Sequence, residues 1–276
     1  MKKIYFNKVL FVKLCTILFL SGLFPFSSFA QLGGMSGSKI SSLTVDVVDH
    51  KKVEFEPGFY HFQAKYSWDE NSNLHDIYNT ADSIKYTTGI YFRVTYGLWD
   101  KLEFGISAST DLSAIAIGSR YAFLQKEKWG LAVIAGANIP MGNRTIDQTI
   151  RNSSTLSQAG GGIVGSYSFT ENFSADMTLQ YLQYLKQSSD DDRGGTYLNL
   201  DLGYYIFNHQ LQLISSFAYR HIANNIGNHD VLTFYPGLTI ETGKNYIIVL
   251  SAMFDSWGKQ EFKNTGFNFA LTLTFD

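Results

Sequence analysis

Cysteine is nearly absent from this chain of 276 residues, in which Cys15 is the single example. Lys13 stands two residues before it and the apolar run continues well beyond it, which is the wrong context for the lipid-modified cysteine of a lipoprotein signal. The predicted mature chain, which begins after residue 30, therefore has no cysteine. Disulfide frameworks and thiolate metal sites are excluded for it.

Long apolar runs are also missing after residue 30. The run from Leu14 to Phe26 covers about thirteen residues, whereas a membrane-spanning helix needs about twenty. Four lysines precede this run, and Ser28-Phe29-Ala30 places small residues at −3 and −1. These features predict a signal peptide over residues 1–30 with cleavage before Gln31, the alternative being a retained anchor helix.

Positive charge is scarce in the mature chain. The whole sequence has 22 basic and 24 acidic residues. Four of the basic residues, and none of the acidic ones, belong to the predicted signal peptide, so 18 basic residues face 24 acidic ones and the net charge is −6. This balance argues against a nucleic-acid partner.

Patterns that would carry catalysis or bind a metal are lacking as well. No His-x-Ser, His-Glu-x-x-His or Cys/His pattern occurs. Arg220-His221 comes closest to a hydrolase site, but Ser215 and Ser216 lie half a strand away. Gly160-Gly161-Gly162 falls inside a predicted strand rather than in a phosphate-binding loop. We predict no catalytic centre, cofactor or metal, although a site assembled from distant strands would escape this search.

What the sequence does have is the two-residue period of β-strands, together with 16% aromatic residues. In the last segment Phe267, Phe269, Leu271, Leu273 and Phe275 share one face, and polar or small residues share the other. Segments 196–206 and 231–241 separate in the same way, into an apolar face and a face containing Asp201 or Glu241. An apolar outer face and a polar inner face are typical of membrane barrels.

Similar segments recur along the chain and are joined by links of alternating length. Short links occur at 99–100, 125–129, 170–172, 208–210 and 242–245, and longer ones at 69–84, 141–156, 186–194, 223–230 and 258–265, with only 111–113 out of place. Outer-membrane barrels have short periplasmic turns and longer outer loops. The predicted strands are 57–68, 85–97, 101–110, 114–124, 130–140, 157–169, 173–185, 195–207, 211–222, 231–241, 246–257 and 266–276.

The sequence thus predicts an all-β fold, a transmembrane antiparallel barrel of about twelve strands over residues 56–276, with both termini in the periplasm. Aromatic residues near the strand ends are expected to form the interfacial girdles: Tyr60, Tyr66, Tyr96, Trp99, Phe123, Trp129, Phe169, Phe173, Tyr184, Phe207, Tyr246 and Trp257. Residues 31–55 precede the series, and the sequence leaves a periplasmic tail, a short extra strand and a plug in the lumen as alternatives.

A set of ionisable residues falls on the faces predicted to point inward, because a lysine or arginine facing lipid at mid-membrane costs roughly 2–4 kcal/mol. Their function is either to line a solute path or to fill a narrow lumen with ion pairs. The acidic run Asp190-Asp191-Asp192 in a predicted outer loop is interpreted as a solvated loop tip, with cation binding as the alternative. The predicted lumen residues are Lys65, Arg93, Glu103, Arg120, Asp176, Asp201, Arg220, Glu241 and Asp255.

One hairpin resembles a known family. Residues 91–105, YFRVTYGLWDKLEFG, are similar to the R-Y-G-L-T-D-R-L-E-L-G hairpin of outer-membrane transporters associated with the phenol-degradation meta-pathway. The segments 55–58 and 117–121 fit the same style, and the layout agrees over 55–276. The resemblance implies an outer-membrane channel and says little about its substrate. The family's closing aromatic is nearly matched, since Phe275 is followed by Asp276, and it implies recognition by the barrel-insertion machinery.

The function predicted from the sequence is passive movement of a small solute through a porin-like channel in the outer membrane of a Gram-negative bacterium. The expected partners are outer-membrane lipid, the solute and, during biogenesis, the barrel-insertion machinery. Two alternatives remain open. One is an outer-membrane lipid hydrolase that uses His221, and the other is a structural or adhesive barrel whose lumen is filled.

Overall fold

The structure is a computed structural model that describes residues 32–37, 39–78, 84–110, 114–140, 157–185, 194–223, 228–242 and 245–276. Twelve long antiparallel strands form a closed barrel, and one short strand is added at its rim. Within the described residues, no helix is long and apolar enough to cross a membrane. The signal peptide and the acidic run 190–192 lie outside the described residues.

The strands follow the chain in order around the barrel, so each one pairs with its sequence neighbours. They are β1 (Val53–Trp68), β2 (Leu74–Asp76), β3 (Lys85–Trp99), β4 (Leu102–Ser109), β5 (Ala114–Gln125), β6 (Trp129–Pro140), β7 (Gln158–Ser168), β8 (Phe173–Tyr184), β9 (Gly194–Ile206), β10 (Leu211–Ala223), β11 (His229–Glu241), β12 (Tyr246–Lys259) and β13 (Phe262–Phe275).

The barrel closes where the last strand pairs with the first. Val53 lies opposite Phe275 and Ser67 opposite Phe262, with a bulge between Ala64 and Tyr66. Above the bulge, β2 pairs with the end of β1 and continues the sheet beyond β3. The predicted twelve-stranded antiparallel barrel is confirmed. The sequence prediction missed β2 and the first four residues of β1, which starts at Val53 instead of residue 57.

The predicted division into two faces is also confirmed on the strands where it was clearest. On β9 the outward Leu198 and Tyr204 are 40% and 50% exposed, while the inward Asn199 and Asp201 are buried. Exposure of large apolar side chains around the whole outer wall is what a lipid-facing surface requires. The prediction that Tyr60 and Tyr184 belong to the girdles was wrong. Both are buried and alternate in phase with the inward residues of their strands.

The short links are tight turns at one end of the barrel. In the turn between β9 and β10, Phe207, Asn208 and His209 all have positive φ, and the N–H of Gln210 donates to the carbonyl of Phe207 at 3.1 Å. Residues 169–172 and 207–210, together with residues 242 and 245, lie at the same end as both chain ends of the barrel wall. By the rule for outer-membrane barrels this end is periplasmic.

The segment before β1 lies inside the barrel. Leu32, Met35, Leu43, Val45 and Val48 are all buried, and the first four pack with side chains from the inner faces of β5 to β9. These contacts lie on the lumen side of the wall. Residues 32–37 and 39–48 are called the plug below.

Candidate functional site

The lumen wall and the plug form the candidate site. The apolar part of their contact joins Leu32, Met35, Leu43 and Val45 of the plug to wall side chains. Small residues on the wall make room for them, since Ala122, Ala132 and Val164 are fully buried at that contact. The sequence predicted a polar inner face, whereas the lumen of the structure is not uniformly polar. It combines an apolar patch with the polar anchors described next.

The first anchor is the Glu103–Arg120 pair. Its two residues lie directly opposite each other on the neighbouring strands β4 and β5. The guanidinium Nη2 of Arg120 is 2.9 Å from Oε1 of Glu103, and both side chains are fully buried. Glu103 accepts hydrogen bonds from the backbone N–H of Ser36 at 2.9 Å and of Val48 at 2.8 Å. Arg120 donates to the carbonyl of Thr44 at 2.7 Å. This pair therefore holds three separate points of the plug backbone.

The second anchor is centred on Arg93 of β3. Its Nη2 is 2.8 Å from Oε2 of Glu56, the residue directly opposite it on β1. Its Nη1 donates to the carbonyl of Met35 at 2.7 Å. Thr272 of β13 donates to the same Glu56 oxygen at 2.6 Å. The carboxylate fixes the guanidinium on the wall, and the guanidinium binds the plug.

The third anchor is Asp201 on β9. Its Oδ2 accepts from the backbone N–H groups of Ile40 at 2.8 Å and Ser41 at 3.1 Å, and its Oδ1 accepts from the Ser41 hydroxyl at 2.8 Å. The Ser41 hydroxyl is also in hydrogen-bond contact with Ser216 of β10. A buried carboxylate that accepts several N–H and O–H bonds is well compensated.

Among the described residues, Lys39 forms the ion pair between the plug and the wall. Its Nζ is 2.6 Å from Oδ2 of Asp176 and donates to Ser174 at 2.6 Å. Neutral groups complete the contact: Thr178 accepts from the N–H of Leu43 at 2.9 Å, and Gln180 accepts from that of Leu32 at 3.0 Å. The anchors thus come from many strands, and most of their hydrogen bonds are to the plug's backbone rather than to its side chains.

Glycines let the plug approach the wall closely. Gly34 has φ +87°, a conformation that L side chains rarely adopt, and a Cβ there would lie 2.4 Å from the carbonyl oxygen of Gly105 on β4. A Cβ on Gly97 of β3 would lie 2.0 Å from the carbonyl oxygen of Asp49. Real side chains do not tolerate such distances, so the seated plug depends on glycine at these positions.

The plug leaves the lumen through a turn at the periplasmic end. Lys51 has φ +67°, its N–H donates to the carbonyl of Gly97 at 2.9 Å, and the N–H of Gly97 donates back to Lys52 at 3.1 Å. Asp49 is 3.0 Å from the Lys52 ammonium, and this hydrogen bond raises the pKa of Lys52. The turn joins the plug directly to the start of β1.

The other predicted lumen residues lie apart from the plug anchors. Arg220 pairs with Glu261 at 2.8 Å near the outer rim. Asp255 accepts from Thr233 at 2.6 Å and from the N–H of Asn264 at 2.8 Å. Glu241, near the periplasmic end, accepts from Tyr205 at 2.7 Å. Lys65 lies at the bulge of β1 with its ammonium 5.6 Å from the centre of the Tyr66 ring, which is 38% exposed.

The predicted set therefore divides into two groups. The plug anchors are Arg93, Glu103, Arg120, Asp176 and Asp201. The residues that lie apart from the plug are Lys65, Arg220, Glu241 and Asp255. Sequence reasoning missed the neutral anchors Thr178, Gln180 and Ser216, although each alternates in phase with a predicted inward residue of its strand. It also missed the partner, because nothing in residues 32–48 identifies the wall groups that bind them.

The hydrolase alternative centres on His221, near the outer end of β10. Its Nδ1 is 2.7 Å from Oδ1 of Asp230, which also accepts from Tyr219 at 2.6 Å. Ser215 is six residues away along the same strand, roughly 20 Å at the usual rise per residue, and Ser216 is buried against the plug. Among the described residues, no group of three His, Cys, Asp or Glu side chains is close enough to hold a metal ion.

No protein-family model matches the chain, and no curated protein matches it. Solved structures do. An outer-membrane channel from Pseudomonas putida F1 is similar with a TM-score of 0.69 and 10% identity, over 84% of this chain and 98% of that one. The NanC porin gives 0.53 at 9% identity, over 81% and 99%, and the KdgM porin 0.50 at 8%, over 80% and 99%.

At these identities the likeness concerns the fold. This chain has the architecture of outer-membrane β-barrel channels and porins, which agrees with the outer-membrane location predicted from its sequence.

Proposed function

We propose that this protein is a channel of the Gram-negative outer membrane that lets a small solute pass passively, and that its plug closes the periplasmic half of the lumen. Conduction then requires the plug to leave its anchors. The fold shared with channels and porins supports the first part of this proposal. Exposed Phe275 on the closing strand fits the predicted recognition by the barrel-insertion machinery.

One observation carries the proposal. The ion pairs Glu56–Arg93 and Glu103–Arg120 join residues directly opposite each other on neighbouring strands, so they run along the wall. The plug is what extends from these pairs to Asp201 and Thr178 on the far strands. A barrel of twelve strands is wider than the eight-stranded kind that side chains fill. Removing the plug would therefore leave a lumen rather than a packed core.

A structural barrel with a filled lumen is the second candidate, and a specific observation favours it. Arg93, Arg120 and Arg220 are each paired with a carboxylate, as expected if charges serve to fill the interior. The two candidates differ in what they predict once the plug is unseated.

The test is the conductance of the Gly34→Val variant in planar bilayers. Valine at φ +87° costs roughly 1–3 kcal/mol and clashes with Gly105, so the plug should unseat and conductance should rise at least about tenfold over the native chain. The control is Gly165→Val on β7, where an added Cβ finds only ordinary contact, 3.6 Å from Leu131. Folding is checked for both variants by heat-modifiable migration in gels. A folded Gly34→Val barrel that stays silent would contradict the channel and favour the filled barrel.

A further inference from the structure

We infer that the opened lumen selects cations over anions, so that the solute carried is a small inorganic or organic cation. This inference rests on the proposed function, because it concerns the lumen after the plug has left. It names a class of solute from the charges that the plug now covers.

The periplasmic half of the wall has an excess of negative charge. Among the described residues, the acidic and basic side chains that line this half are six carboxylates and two guanidiniums: Glu54, Glu56, Glu103, Asp176, Asp201 and Glu241 against Arg93 and Arg120. Four negative charges therefore remain after the two arginines have been matched.

The plug at present supplies partners for three of these carboxylates. Asp176 has the Lys39 ammonium at 2.6 Å. Asp201 and Glu103 have backbone N–H groups of the plug at 2.8–3.1 Å. All of these partners belong to residues 32–48 and leave together when the plug moves. Water and mobile cations are what remain to solvate the carboxylates, because the wall offers no further cation in this half beyond Arg93 and Arg120 among the described residues.

The described residues that line the outer half show no comparable excess. Arg220 is paired with Glu261, and the Lys85 ammonium lies 4.0 Å from the centre of the Phe262 ring on the same rim. Glu261 and Asp255 stand against these two cations, so the charges that line the described part of this half balance. The part of the lumen with a net charge that a permeating solute meets is therefore the carboxylate-rich region around Glu103, Asp176 and Asp201. Rings of acidic side chains of this kind favour cations in channels.

The test is the reversal potential of the full mature chain carrying Gly34→Val, measured across a potassium chloride gradient. We expect a permeability ratio of potassium to chloride above one. Adding Asp176→Asn and Asp201→Asn should bring this ratio towards one, because both carboxylates lose their charge without losing their shape. Asp255→Asn, the same change in the balanced outer half, is the matched control and should leave the ratio nearly unchanged. Gly37→Val, at φ +63° in the plug, is the second unseating variant if Gly34→Val does not fold.

The outcomes separate the two proposals. A folded variant that conducts with a ratio at or below one would overturn the cation preference and leave the channel standing. A ratio that stays the same after Asp176→Asn and Asp201→Asn would also overturn it, because the selecting charge would then lie elsewhere. Folded variants of both glycines without conductance would instead overturn the proposed function.

Discussion

At the scale of single residues, Asp201 and Glu103 are the two wall carboxylates that each accept three hydrogen bonds from the plug, and Asp201 is the clearer case to test. It binds two backbone N–H groups and one hydroxyl of residues 40 and 41. Hydrogen bonds to a charged group contribute about 1.5–3 kcal/mol each to stability in favourable cases. Asp255 is equally buried but binds Thr233 and Asn264, which both belong to the wall. The two aspartates thus differ in what they hold.

We predict that Asp201→Ala increases the frequency of opening in planar bilayers by about tenfold to a hundredfold, which corresponds to a loss of roughly 1.4–2.8 kcal/mol of plug seating. Asp255→Ala should lower the resistance of the barrel to denaturant while changing the opening frequency much less. Equal opening frequencies in the two variants would show that Asp201 does not anchor the plug.

At the scale of strands, alternation in the sequence predicted where each side chain points. On β9, Leu198 and Leu200 were predicted outward and Asn199 and Asp201 inward, and the structure agrees. This prediction works because lipid and lumen impose opposite solvents on successive residues. It failed at Tyr60 and Tyr184, since an aromatic ring near a strand end suits an interface and a packed lumen equally well. Polarity alone does not distinguish these two positions for tyrosine.

The plug was the element least accessible to prediction. Residues 32–42 show no strand or helix period, the alternation of 43–47 fits a short strand as well as a plug, and the anchors bind backbone groups, which every sequence has. Arg93, Glu103, Arg120, Asp176 and Asp201 were found because charge does not face lipid. Their partner required the three-dimensional arrangement, as did the role of Gly34 and Gly105, which only the distance between their backbones reveals.

A prediction at this scale concerns the lipid-facing wall. Leu200 lies at the middle of β9 and faces outward, so Leu200→Arg should reduce the free energy of unfolding in lipid vesicles by about 2–4 kcal/mol. Phe207→Arg, in the periplasmic turn after the same strand, should cost only about 0–1 kcal/mol because the charge reaches the interface. Denaturant unfolding of both variants in vesicles provides the comparison. Equal costs would mean that β9 does not cross the membrane as assigned.

At the scale of the whole molecule, the barrel and the plug are held together differently. The barrel is closed by the ladder between β1 and β13, in which no plug residue takes part. Among the described residues, the plug is held by hydrogen bonds, one ion pair and an apolar patch, all of which are contacts with the surrounding wall. Separation of the plug from an intact barrel is therefore the transition on which the proposed channel depends.

The most direct measurement locks the plug by a disulfide. The hydroxyls of Ser41 and Ser216 are in contact, and the mature chain predicted here has no other cysteine, so Ser41→Cys with Ser216→Cys forms one defined bridge between plug and wall. The conductance of this double variant is recorded before and after reduction, with each single variant as a control. The account predicts silence when the bridge is oxidised and recovery of opening on reduction. Equal conductance in the oxidised and reduced states would contradict it.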